Sequence, residues 1–259
     1  MKRRHLMELE DEQWFPAVIR DYGTDYLQFL INAGDSYRDL VPVLQKGLAK
    51  ARKKVIVDIA AGGGGGWRKL APRLKAAEPG VKVILTDYYP NVNAFKDLQK
   101  QDPELFSFVE SQVNALDVPK DLQDGLRTQF LSFHHFRPED ATKILQNAVD
   151  GGSPILIVEA TERHPKTIVQ MVLSLILAPL LMPFVRPFKI GRLFFTYIIP
   201  ILPFFITWDG IASVYRSYHP REIQEMASRL RNADSFDWEI GWHKVGPSKI
   251  LIALGLPKG

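Results

Sequence analysis

Five consecutive glycines, Gly62 to Gly66, follow Val55-Ile56-Val57-Asp58-Ile59-Ala60-Ala61, and they narrow the fold of this chain more than any other stretch. Val55-Ile56-Val57 is β-branched with no polar face, as in a strand buried on both sides of a parallel sheet. A chain that leaves such a strand and turns at once into a helix needs small residues at the corner. The same residues let backbone approach a ligand, which lies outside the carboxyl ends of the strands. A plain flexible turn is the competing reading.

The rest of the chain alternates around this corner. Trp67 to Ala77 and Asn93 to Lys100 have helical spacing, and Pro138 to Val149 is a helix ending at Gly151-Gly152. Val81 to Thr86, Phe106 to Gln112, Thr128 to Phe133 and Ile155 to Val158 read as strands. Alternation of this kind implies an α/β fold with a doubly wound parallel sheet. After a helix from Pro220 to Leu230, strands Phe236–His243 and Lys249–Leu254 flank a turn, Val245-Gly246-Pro247-Ser248, as an antiparallel hairpin. Before the basic boundary Lys50–Lys54, helices are expected through Trp14–Leu30 and from about Ser36 to Ala51. Three regions follow: a helical cap over 1–52, a core over 53–163 and 218–259, and an apolar insertion over 164–217. The 259 residues suit one large domain with an insertion.

With no cysteine, thiolate chemistry, disulfides and cysteine–metal sites are excluded. A net charge of +4 is too weak to indicate nucleic acid. Lys2-Arg3-Arg4-His5 runs straight into Glu8, Glu10, Asp11 and Glu12 without an apolar core, so a cytoplasmic chain is expected rather than a secreted one.

The glycine loop fits a dinucleotide fingerprint poorly, because Trp67 stands where the last glycine belongs. Asp87, at the end of the second strand, is placed to accept the hydroxyls of a ribose, or else to cap the turn through Pro90. The order Asp58-x-Ala60-x-Gly62-x-Gly64 and then Asp87 resembles the class I S-adenosylmethionine-dependent methyltransferases, with Ala60 in place of their first glycine. Asn114-Ala115-Leu116-Asp117-Val118-Pro119 resembles their adenine-contacting segment. Leu131-Ser132-Phe133-His134-His135-Phe136 is similar to their fourth-strand motif, and the terminal hairpin is that fold's ending. The resemblance covers about 37–159 and 218 to the end. It implies a seven-stranded Rossmann-like sheet, S-adenosylmethionine as cofactor, and Asp58, Ala60, Gly62, Gly63, Gly64, Asp87, Tyr88, Asn114, Ala115 and Ser132 as its contacts. Trp14-Phe15-Pro16, Leu85–Asn91 and Trp208-Asp209-Gly210 with Arg216 and Tyr218 are also similar to a bacterial group of this family without an assigned substrate. The rival activity is a nicotinamide-dependent oxidoreductase on a similar sheet. A third reading is a membrane-associated protein that has lost catalysis.

The resemblance implies that His134 removes the acceptor's proton; the competing reading has His134 and His135 capping the next helix or packing under the cofactor. Asp209 is expected to reach the substrate or to pair with Arg216, and Glu162 with Arg163 on the surface. No metal is expected, since adjacent histidines suit one ion poorly. Between Lys166 and Asp209 no acidic residue occurs, and 167–185 and 193–208 are uncharged. This segment reads as a hairpin in one membrane leaflet, giving peripheral attachment to the inner face, or as a lid or homodimer interface. Either way a hydrophobic small-molecule or lipid-like acceptor is expected.

Overall fold

The computed structural model describes residues 1–245 and 248–258. Seven strands form one sheet in the order β3-β2-β1-β4-β5-β7-β6. β1 (Val55–Asp58), β2 (Lys82–Leu85), β3 (Phe106–Phe108), β4 (Leu126–Phe130) and β5 (Ile155–Glu159) run parallel, and β6 (Phe236–Val245) and β7 (Ser248–Pro257) pair antiparallel. β7 lies against β5, so the hairpin closes the sheet on that side. Chain order reverses at β1/β4, where α/β sheets open a crevice for ligands.

Alternation along each strand divides the core in two. Ile56, Leu156, Val158 and Ile252 pack with α2 (Val41–Leu48), α3 (Trp67–Ala77) and α4 (Val92–Gln101). Val57, Ile157, Leu251 and Ala253 pack with α5 (Pro138–Asp150) and α9 (Pro220–Ser228) on the other face. A third cluster lies off the sheet. There Phe15 and α1 (Ala17–Ala33) pack on an insertion of three helices, α6 (Pro165–Leu181), α7 (Ile190–Tyr197) and α8 (Ile201–Arg216).

Several elements differ from expectation. β4 stops at Phe130 rather than Phe133 because Leu131 takes a left-handed φ of 52°, which no strand accommodates. β3 is only three residues long, since β2 offers it only Val83 to Leu85 as partners. α2 starts at Val41, five residues late, after a run of turns through Asp39. Within residues 1–52, α2 packs in the sheet layer, whereas α1 packs on the insertion and, through Ile31, on the sheet layer as well. The expected turn at Gly246-Pro247 lies outside the described residues.

Candidate functional site

A cleft of about 340 Å³ opens at the carboxyl ends of β1, β2 and β4, at the lower end of the range for small-molecule sites. Its floor is the corner after β1. Ala60 sits at φ 56°, in the place where a glycine would be unstrained. Gly64 combines φ 85° with a neighbour, Leu98 Cδ1, that a Cβ would approach to 2.3 Å. Gly66 lies under the Tyr37 ring, also 2.3 Å from where its Cβ would be. The glycines therefore serve the protein's own packing as well as the cleft: α1 and Tyr37 lie directly on the loop, and the Asn32 amide donates to the Gly65 carbonyl (2.9 Å).

Asp58 and Asp87 form the acidic wall. Asp58 is 2% exposed; its Oδ1 accepts from Thr128 Oγ1 (2.8 Å) and its Oδ2 from Trp67 Nε1 (2.7 Å). Burial pushes its carboxyl up to about 7 against those two bonds. Asp87 Oδ2 accepts from the Gly62 amide (2.8 Å) and Oδ1 from the Tyr89 amide (2.7 Å), and burial raises its pKa too. Each oxygen keeps acceptor capacity. Three further polar atoms at the cleft, Tyr37 Oη, Asn91 Nδ2 and Ser132 Oγ, are buried without a hydrogen-bond partner. Buried polar groups are normally satisfied, so this concentration marks a place for a ligand.

Of the expected cofactor contacts, Asp58, Ala60, Gly62, Gly63, Asp87, Tyr88 and Ser132 line the cleft. Gly64 supports the loop from behind. Asn114 is exposed, with its side-chain oxygen accepting from the Leu116 amide (3.0 Å), and Ala115 is buried; neither lines the cleft. Their loop is nevertheless tied to it, because the Val113 amide donates to the Asp87 carbonyl (2.9 Å).

The other end of the cleft is made by the N-terminal segment, which crosses the molecule as a strap. Arg3 donates to the carbonyls of Arg216 (2.6 Å) and Phe136 (2.8 Å), and the Arg4 amide to Tyr215 (2.9 Å). Buried Glu8 accepts from Ser213 Oγ and Arg216 Nη1 (both 2.9 Å) and lies 2.8 Å from His135 Nδ1. Burial works to raise the Glu8 carboxyl, but His135, His134 and Arg216 outweigh it and hold it at about 2. The Nδ1 of His135 also lies 2.8 Å from Asp11 Oδ1. Burial disfavours the His135 imidazolium, but Glu8 and Asp11 prevail and raise its pKa well above the ordinary value.

The two histidines thus have separate surroundings. His135 lines the cleft with Glu10 and Asp11. His134 is 3% exposed behind the wall, its Nδ1 2.8 Å from Glu159 Oε2 and its amide donating to Glu159 Oε1 (3.1 Å). Glu8, His134 and His135 offer ligand atoms within 4.8 Å of one another, a grouping that adjacency in sequence concealed. Arg216 occupies Glu8 from the side, and a guanidinium there opposes a dication.

Asp209 does not pair with Arg216. It accepts from the Leu9 (2.9 Å) and Glu10 (3.0 Å) amides and so caps the strap's short 3-10 turn, away from the cleft. Glu162 and Arg163 do not pair either; they meet Lys249 and Glu222. The sequence reading missed Glu10, Asp11 and the cleft face of α1 with Arg20, Asp21 and Gln28. The acidic run Glu8–Glu12 was their only local signal.

No family model and no curated protein matches this sequence. Solved structures do match. An O-methyltransferase family protein from Burkholderia thailandensis aligns at 15% identity over 91% of this chain and 60% of its own, TM-score 0.50. Human N-acetylserotonin methyltransferase, solved in complex with SAM, aligns at 14% over 96% and 60%, TM-score 0.50. A Rhodobacter sphaeroides protein named as a Zn-dependent alcohol dehydrogenase aligns at 12% over 92% and 98%, TM-score 0.50. The chain thus spans about 60% of the two methyltransferases. What it shares with these structures is a fold, which in this chain is a parallel sheet closed by an antiparallel hairpin.

Proposed function

We propose that the cleft binds S-adenosylmethionine and that the protein transfers its methyl group to a hydrophobic small-molecule acceptor. The observation that carries this is the charge of the cleft. Glu10, Asp11, Asp21, Asp58 and Asp87 line it against only Arg20 and His135. Four of those carboxyls, Glu10, Asp21, Asp58 and Asp87, are raised by burial, and a cationic ligand relieves that cost. The sulfonium cofactor is such a ligand. A dinucleotide brings an anionic pyrophosphate, and the helix end that would hold it, at Gly66 before α3, is covered by Tyr37 and Ile31. Without cysteine, the chain also lacks the thiolate ligands common in zinc alcohol dehydrogenases.

The residues divide by position. Asp87, with acceptor capacity left on both oxygens, suits the ribose hydroxyls; Tyr37, Asn91 and Ser132 supply unused donors and acceptors. The cofactor, when bound, supplies the methyl group. Glu10, partly buried and with its carboxyl raised by burial, is the proton acceptor at the strap end. His135, held protonated by Glu8 and Asp11, orients an acceptor oxygen. His134 serves as a positioning residue through Glu159. Titration calorimetry tests the ligand: S-adenosylhomocysteine is expected to bind, NADH and NADPH not, and Asp87→Ala to weaken binding at least tenfold. Binding of NADH alone would overturn the reading.

A further inference from the structure

We propose that the outer face of α6, α7 and α8 docks on an anionic lipid surface and lies within one leaflet. The segment Pro165–Phe184 has a mean hydropathy of 2.0, yet only 11% of its most apolar 18-residue window is buried. An all-round apolar helix is either buried in a core or surrounded by lipid or a partner. Val169, Val172, Leu173, Ile176 and Leu180 form one exposed stripe on α6, and Phe194, Ile198, Phe204 and Trp208 continue the exposure on α7 and α8. A patch of this kind on a soluble monomer needs a cover.

Charge selects the cover. Every charged residue from Pro165 to Trp208 is basic. Lys189 and Arg192 are held by Asp25 (2.7 and 2.8 Å), whereas Lys166 and Arg186 are exposed and make no ion pair among the described residues. A two-fold contact with a second copy sets a surface against itself, and here that places like charges together. Anionic headgroups complement the same charges. Half-exposed Tyr197 and Trp208 suit the interface between headgroup and chain.

Packing selects the depth. Ala178 near the far end of α6, and Met182 and Val185 just beyond it, are buried against Phe15, Ile19 and Tyr22 of the α1 layer, and α1 lines the cleft with its other side. The far end of the helix is therefore tied to the body, and the helix cannot cross a bilayer without carrying α1 with it. α7 and α8 meet at an 80° bend, which keeps the second apolar run shallow as well. On this surface the cleft lies one helix away from lipid.

The test is flotation of the full chain with vesicles of phosphatidylglycerol and phosphatidylethanolamine, against vesicles of phosphatidylcholine alone. The wild type is expected to float with the first, weakly with the second, and to be released by alkaline carbonate. Ile176→Glu with Leu180→Glu is expected to cut the bound fraction at least tenfold with an unchanged circular dichroism spectrum. Failure to float, equal flotation of the double variant, resistance to carbonate, or a wild-type dimer by sedimentation velocity that ignores vesicles would each overturn the proposal. None of these readouts depends on methyl transfer.

Discussion

Replacing Asp58 by asparagine is expected to stabilise the ligand-free protein while weakening the S-adenosylmethionine binding proposed for its cleft. Asp58 is buried, and its carboxyl is raised from 3.8 to about 7. A raised carboxyl stabilises the fold only when protonated. The contribution is whole below pH 4, erodes as pH rises, and is gone above pH 7. At ~1.4 kcal/mol per pH unit, three units set a ceiling of about 4 kcal/mol for the cost of ionising it. The asparagine of Asp58→Asn is uncharged and keeps both partners, because its oxygen accepts from Trp67 Nε1 and its amide donates to Thr128 Oγ1, a hydroxyl able to accept. The gap between variant and wild type should therefore grow with pH, from near zero at pH 4 to about 2–4 kcal/mol at pH 8. For a chain of this size that is roughly 5–15 °C in melting temperature. Thermal melts across pH 4 to 8.5 without ligand measure it. A gap that stays flat, or a variant less stable at pH 8, would refute the assignment of the burial cost to Asp58. Saturating S-adenosylmethionine should narrow the gap, since a cation beside Asp58 offsets the cost in the wild type alone.

Ala60→Gly, which removes a left-handed alanine, should add about 1 kcal/mol of stability in urea denaturation. Gly66→Ala drives a Cβ into the Tyr37 ring and should cost about 1–3 kcal/mol by the same assay. Glu8→Gln leaves Arg216 and His135 buried beside fewer charges and should cost about 3–5 kcal/mol at pH 7. Because the Glu8 carboxyl is depressed to about 2, its stabilisation is whole above pH 4.5 and is lost as pH falls towards 2. The wild-type advantage over Glu8→Gln in acid melts should shrink over that window.

The sheet was legible because period-2 and period-3.6 patterns report burial directly, and β1 and β5 are apolar on both faces up to their terminal acids. The part of the cleft at the ends of β1, β2 and β4 was legible for a related reason. Its residues sit within a few positions of strand ends, where sequence order and spatial order agree. The strap was not. Glu8, Glu10 and Asp11 meet His135, Asp209 and Arg216 across 124 to more than 200 residues, and nothing local distinguishes such carboxylates from a solvated acidic run. The Asp209–Arg216 pairing failed for the same reason: both acid and base found their partners in the strap.

The strap is held from the cleft side as well. Arg20 on α1 pins it from the cleft side, donating Nε to the Glu10 carbonyl and Nη2 to the Glu12 carbonyl (both 2.8 Å), with its guanidinium 4.7 Å from the Tyr89 ring centre. Arg20→Met keeps most of the stem packing and removes both bonds. Charge-assisted bonds contribute roughly 1.5–3 kcal/mol each when buried, and Arg20 is only partly buried, so about 1–2 kcal/mol of strap docking is at stake. That is about a tenfold rise in the open population. Hydrogen exchange reads it at the Arg4, Leu9 and Glu10 amides, whose acceptors are Tyr215 and Asp209. Those three should exchange about tenfold faster, with β1 and β4 amides unchanged and S-adenosylhomocysteine affinity within threefold of wild type. Uniform acceleration would mean that Arg20 supports the whole fold, and no change would mean that the Glu8–Arg216 cluster alone holds the strap. A selective effect identifies the strap as an element that opens apart from the rest of the fold, and Glu10 and Asp11 wall the cleft only while it is docked.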